Sequence, residues 1–112
     1  MGTSACSNDA EKPVGLAYYD TEGVHGGDAA ELLGTLEMDS GCVYVSTRSG
    51  KVVPVFPLQG TTRNDDKLVL NNKSYANGTR VSFTGGEQLS KPADAVVPET
   101  CVGDSYWIVA AG

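Results

Sequence analysis

From residue 32 onward the chain alternates apolar and polar side chains with a period of two, which gives each face of a β-strand its own set of residues. In segment 32–39, Leu32, Leu36 and Met38 fall on one side and Thr35, Glu37 and Asp39 on the other. Asp39-Ser40-Gly41 reads as a tight hairpin turn, with the glycine expected to supply a positive φ. The return strand is expected over 42–47, the next turn at Arg48-Ser49-Gly50, and a third strand over 51–57. That third strand contains Pro54 and Pro57, and proline cannot donate to a ladder, so an edge position or a bulge is expected. A polar connection, 59–66, leads to a fourth strand at 67–70. Asn71-Asn72 then turns the chain into a short run at 74–76, and Asn77-Gly78 is the strongest hairpin signal in the sequence. A fifth strand is expected over 79–84, closed by Gly85-Gly86. Residues 87–103 read as irregular, with room for one helical turn, and 105–110 as the last strand. Upstream, 15–19 reads as a short strand or a packed arm and 20–28 as a glycine-rich acidic loop. No stretch of ten or more residues has a helical period.

The fold class is therefore all-β. Five to seven short strands at this spacing close most economically into a small barrel, closed or partly open, because closure leaves few edges. A three-stranded meander, a connection and two further strands resemble the oligonucleotide/oligosaccharide-binding (OB) barrel, and a compact sandwich is the alternative. Such a likeness carries no function by itself. With 112 residues there is room for one core. Residues 1–13 are expected to be a flexible polar tether and 14–112 a single β domain.

Three cysteines change this picture. Cys42 opens the apolar segment Gly41-Cys42-Val43-Tyr44-Val45, and Cys101 precedes Ser105-Tyr106-Trp107-Ile108-Val109. No two cysteines are close enough for a Cys-x-x-Cys pair, and one histidine cannot complete an ordinary zinc site. A Cys42–Cys101 disulfide is expected. The chain-entropy value for closing so long a loop is roughly 4 kcal/mol, a large share of what a core this small supplies. It implies an oxidising compartment; two buried thiols in a cytosolic protein are the alternative.

Cys6 is then unpaired. It follows Thr3-Ser4-Ala5, and small residues directly before a cysteine resemble the processing site of bacterial lipoproteins, where that cysteine receives a diacylglycerol. Thr3 stands where that motif prefers leucine, and no charged and apolar leader precedes it, as expected of a chain trimmed to its soluble part. The alternative is a stray cysteine in a disordered terminus. Myristoylation at Gly2 would need Ser or Thr where Cys6 stands. No apolar run approaches the length of a membrane-spanning helix, so an anchor on Cys6 is the one route to the membrane.

Charge narrows the partners. The net charge is −6. The first 39 residues hold eight acidic side chains and Lys12 alone, whereas seven basic residues fall between 40 and 92. Those are spaced singly, as on solvated strand edges. Overall acidity opposes phosphate neutralisation and argues against nucleic acid.

The candidates for chemistry are few. His25 is the only histidine, and a Ser-His-Asp arrangement would have to use it. No glycine-framed serine elbow accompanies it, so an exposed loop histidine is the plainer reading. Asp20, Glu22, Asp28 and Glu31 are hard oxygen ligands, but no calcium-loop register follows Gly23. Asp65-Asp66 is weak as an acid/base pair, since adjacent strand residues point apart. Gly26-Gly27 and Gly85-Gly86 lack the helix that a phosphate cradle requires. Asn72-Lys73-Ser74 and Asn77-Gly78-Thr79 fit the glycosylation acceptor pattern and are already explained as turns. Catalytic residues, cofactor and metal are thus expected to be absent. Tyr18, Tyr19 and Trp107 form the candidate ligand face. Tyr106 and Trp107 must face opposite ways, one of them outward or covered by the N-terminal arm through Tyr18-Tyr19, and Tyr44 and Tyr75 read as core.

Gly34-Thr35-Leu36, Gly41-Cys42-Val43-Tyr44-Val45, Val53-Pro54-Val55-Phe56-Pro57, Gly78 before Val81, Gly85-Gly86-Glu87, and Cys101 followed by Trp107-Ile108-Val109 carry a resemblance over residues 32–109. On these residues the chain resembles a group of uncharacterised actinobacterial envelope proteins. The resemblance implies a small barrel with one disulfide outside the cytoplasm, and no activity. The expectation is a monomeric, membrane-tethered binding or envelope-interaction module for a protein or glycan ligand. A small hydrolase using His25 and a purely structural accessory domain are the alternatives.

Overall fold

The computed structural model describes residues 15–19, 30–39, 41–64, 67–93 and 95–110. Ten strands are formed: β1 Ala17–Tyr19, β2 Ala30–Met38, β3 Val43–Thr47, β4 Gly50–Pro57, β5 Thr61–Asn64, β6 Lys67–Leu70, β7 Lys73–Ala76, β8 Arg80–Gln88, β9 Ala95–Val96 and β10 Ser105–Val109. No helix occurs among the described residues, and none is long and apolar enough to cross a membrane.

Five strands close a barrel. β2, β3 and β4 form an antiparallel meander, β10 pairs parallel to β4 and antiparallel to β8, and β8 returns to β2. This is the connectivity of an OB-like barrel. Between β4 and β8, the three-stranded sheet β5-β6-β7 caps one end. Leu68 and Leu70 of β6 join Leu32, Leu36, Val43, Val45, Phe56, Phe83 and Trp107 in the barrel core. Phe56 and Tyr75 meet Phe83 edge-on, with ring centroids 5.5 and 5.6 Å away, a favoured aromatic geometry.

The alternation expected of segment 32–39 is present, with Leu32, Leu36 and Met38 buried. β4 is not an edge strand: β10 runs along one side, β3 along the first part of the other side, and β1 along the last part. Both backbone groups of Lys51 point towards Asp104, which precedes β10. Alternation then turns the nitrogen of Pro54 to the opposite side, where β3 has ended at Val52 and β1 begins at Val55. The nitrogen of Pro57 turns towards β10, beyond its last partner at Val55. Both prolines therefore sit where the ladder asks for no donor.

Four other expectations are corrected. β5 forms inside the polar connection, because Thr61 buries its hydroxyl against the carbonyl of Pro57 at 2.6 Å and the strand pairs with β6. Asn77-Gly78 is no hairpin: it carries the chain from β7 in the cap to β8 in the barrel, and the Asn77 amide bridges the backbone of Met38 at 3.0 and 3.1 Å. β8 also runs on through Gly85-Gly86, where glycine is required by closeness. A Cβ at Gly85 would collide with the Ile108 carbonyl and lie 2.8 Å from the Trp107 indole nitrogen. At the β2–β3 connection the turn rests on Asp39, whose carboxylate accepts from the N–H groups of Gly41 and Cys42 at 2.8 Å. Gly41 does not take the positive φ expected of it.

Candidate functional site

The expected Cys42–Cys101 bond is present. Cys42 and Cys101 are joined by a disulfide with 5.2 Å between their Cα atoms, and both are buried. The bond points to an oxidising compartment. It joins the β2–β3 connection to the long β8–β10 connection, the two loops that border the ligand face in OB barrels.

The disulfide lies in a second apolar cluster, on the outside of the barrel. Alternation divides each strand: Val43 and Val45 point inward and Tyr44 outward; Val52 and Phe56 inward and Val53 and Val55 outward; Trp107 and Val109 inward and Tyr106 and Ile108 outward. Ala95, Val97 and Cys101 of the β8–β10 connection lie against this outer set, together with Ala17 and Tyr19 of the arm. The Tyr44 hydroxyl donates to the Thr100 carbonyl at 2.7 Å, and the Thr100 hydroxyl donates to the Gly41 carbonyl at 2.6 Å. The Asp104 carboxylate accepts from the Lys51 N–H at 3.0 Å, and a Cβ at Gly50 would collide with that carboxylate. The side on which OB barrels hold their ligands is here covered by the chain itself.

The opposite side, β2 and β8, carries no such cover among the described residues. Glu31 faces Thr84, Leu33 faces Ser82 and Thr35 faces Arg80. Ser82 and Thr84 donate hydroxyl hydrogen bonds to the two oxygens of Glu31 at 2.5 and 2.7 Å, and these hold its carboxyl below the usual range. Leu33 stands among them 60% exposed. Glu37 pairs with Lys51 at 3.4 Å, and Lys51 also lies over the Tyr44 ring. The arrangement offers hydrogen-bonding groups around one apolar side chain, a surface suited to contact.

Tyr18, Tyr19 and Trp107 are not gathered on an exposed face. Tyr19 is buried, and its hydroxyl donates to the Val109 carbonyl at 2.7 Å. Trp107 is in the core, its indole nitrogen without a partner among the described residues. Tyr18 is half-buried against the same core. Tyr106 lies in the outer cluster with Ala17 and Tyr19, while Tyr18 packs on the inner core, so only Tyr19 of the expected Tyr18-Tyr19 cover reaches that side. Cys6, Asp20, Glu22, His25, Asp28, Asp65 and Asp66 lie outside the described residues. Among the described residues no group of three metal-ligating side chains occurs. Leu33, Ser82 and Thr84 escaped the sequence reading, although Leu33 stands out of phase with Leu32, Leu36 and Met38, which marks it as outward.

Comparison of the chain with protein-family models, with curated proteins and with solved structures finds no match in any of the three.

Proposed function

We propose that this protein is a non-catalytic binding module of the actinobacterial cell envelope, tethered through lipid on Cys6, which holds a protein or glycan on the β2–β8 side. The observation that carries this reading is the buried Cys42–Cys101 disulfide. It supports a place outside the reducing cytosol. It also fastens a cover over β3 and β4, which leaves β2 and β8 as the barrel side without a cover among the described residues, with exposed Leu33 among Glu31, Thr35, Ser82 and Thr84.

Native material and purified envelopes test it. Intact mass is expected to include a diacylglycerol adduct and to rise by two hydrogens on reduction. The soluble domain should sediment with purified envelopes, Leu33→Asp should abolish this, and Leu89→Asp should not. Free thiols in native material, absence of the adduct, or sedimentation unaffected by Leu33→Asp would overturn the corresponding part of the reading.

A further inference from the structure

The cover over β3 and β4 is an unusual piece of packing. Across 89–104, only Pro92 and Cys101 are buried among the described residues. Three of its apolar side chains point away from the barrel, Leu89 being 81%, Val96 51% and Val102 70% exposed, and Ala95 and Val97 are only partly buried against the outer set. The surface beneath is the reverse. Val53 and Val55 are fully buried, and Tyr44 nearly so. Gly103 sits close enough that a Cβ would lie 3.0 Å from the Val53 side chain. The segment thus hides much apolar surface while burying little of its own. Among the described residues, apart from the disulfide and the partial packing of Ala95 and Val97, it is held by the Tyr44–Thr100–Gly41 hydrogen bonds, by Asp104 on Lys51, and by the short pairing of β9 with β1. A few partly exposed hydrogen bonds do not offset the entropy of ordering a connection of this length. Elements with few buried contacts are the ones that open locally while the rest stays folded.

We propose that residues 89–104 are a disulfide-latched strap: reduction of Cys42–Cys101 releases it and bares Tyr44 and Val53, while the five-stranded barrel stays closed. The reductant is a dithiol. Its thiolate attacks one sulfur of the bond to give a mixed disulfide, and its second thiol resolves that bond. The dithiol ends as a disulfide, and Cys42 and Cys101 each gain one electron and one proton. Both sulfurs are buried, so attack follows a fluctuation of the strap and the latch resists brief exposure to thiol. The device does not depend on which ligand the β2–β8 side holds.

Hydrogen exchange read by mass spectrometry on oxidised and dithiothreitol-reduced protein tests it. In the reduced protein, the amides of 95–104 should exchange at least about tenfold faster, while those of β2 and β8 keep their protection. An apolar dye should gain fluorescence in the same sample. The double variant Cys42→Ser, Cys101→Ser should reproduce the pattern without reductant, and if it does not fold, the reduced wild-type protein alone decides. Unchanged exchange in the strap would overturn the proposal, because the cover would then hold without its bond. Simultaneous loss of protection in all barrel strands would overturn it too, because the bond would then hold the whole domain.

Discussion

The phenol of Tyr19 donates to the carbonyl of Val109, ninety positions further along, and so ties the arm strand to the last strand of the barrel. Burial raises the Tyr19 pKa above its ordinary value. The neutral phenol is favoured in the folded state, so its contribution is fully present below about pH 10, the unfolded value, and is lost as pH rises through the folded one. Tyr19→Phe is expected to lower stability by about 1 kcal/mol at neutral pH. It should also flatten the decline above pH 10, measured by urea unfolding at several pH values.

Gly85 in β8 and Gly78 just before it should respond differently. Gly85→Ala places a methyl against the Ile108 carbonyl, where neither backbone can give way without opening the β8–β10 ladder; a loss of about 3 kcal/mol or more is expected. Gly78 has φ +90 with nothing within 4 Å of an added Cβ, so Gly78→Ala should lose only about 1 kcal/mol through backbone strain. Thermal unfolding of both variants checks the order.

Asn77 acts as a stand-in for backbone, giving and accepting one hydrogen bond at Met38. Asn77→Ala removes both and is expected to cost about 1–2 kcal/mol. Asn77→Asp keeps the acceptor but sets its second carboxylate oxygen against the Met38 carbonyl, so it should recover little of the loss; urea unfolding of both variants checks this.

Glu31 is exposed, and its lowered pKa comes from the Ser82 and Thr84 hydroxyls. The stability it contributes is present above the unfolded carboxyl value and is lost as pH falls through the folded one. Ser82→Ala with Thr84→Val should return the Glu31 titration, followed by NMR, to the ordinary carboxylate range, with the barrel otherwise unchanged.

What the sequence revealed, and what it hid, follows from the range of the forces involved. Period-2 alternation located β2, β3, β6 and β10 because each strand reports its own burial. The disulfide was legible from two cysteines flanking apolar segments. The central place of β4 was hidden, because the gaps that accommodate Pro54 and Pro57 are made by β1, β3 and β10, all distant in sequence. Gly85-Gly86 looked like a strand end because only the approach of β10 explains the missing side chains. Asn77-Gly78 made its local turn, but the strands on either side found other partners. The covered outer side was half legible: the opposite facing of Tyr106 and Trp107 left one of them either outward or under a cover, while residues 95–101, which lie over that side, have no periodic pattern to announce them.

The bond between residues 42 and 101 also makes a covalent ring that contains every strand from β3 to β9. A protease cut in the exposed Asn71-Asn72 turn, where both residues have positive φ, would therefore leave one molecule. Its two pieces would part only once the sulfurs were reduced. In surroundings rich in proteases, a nicked copy keeps both halves of its barrel in hand.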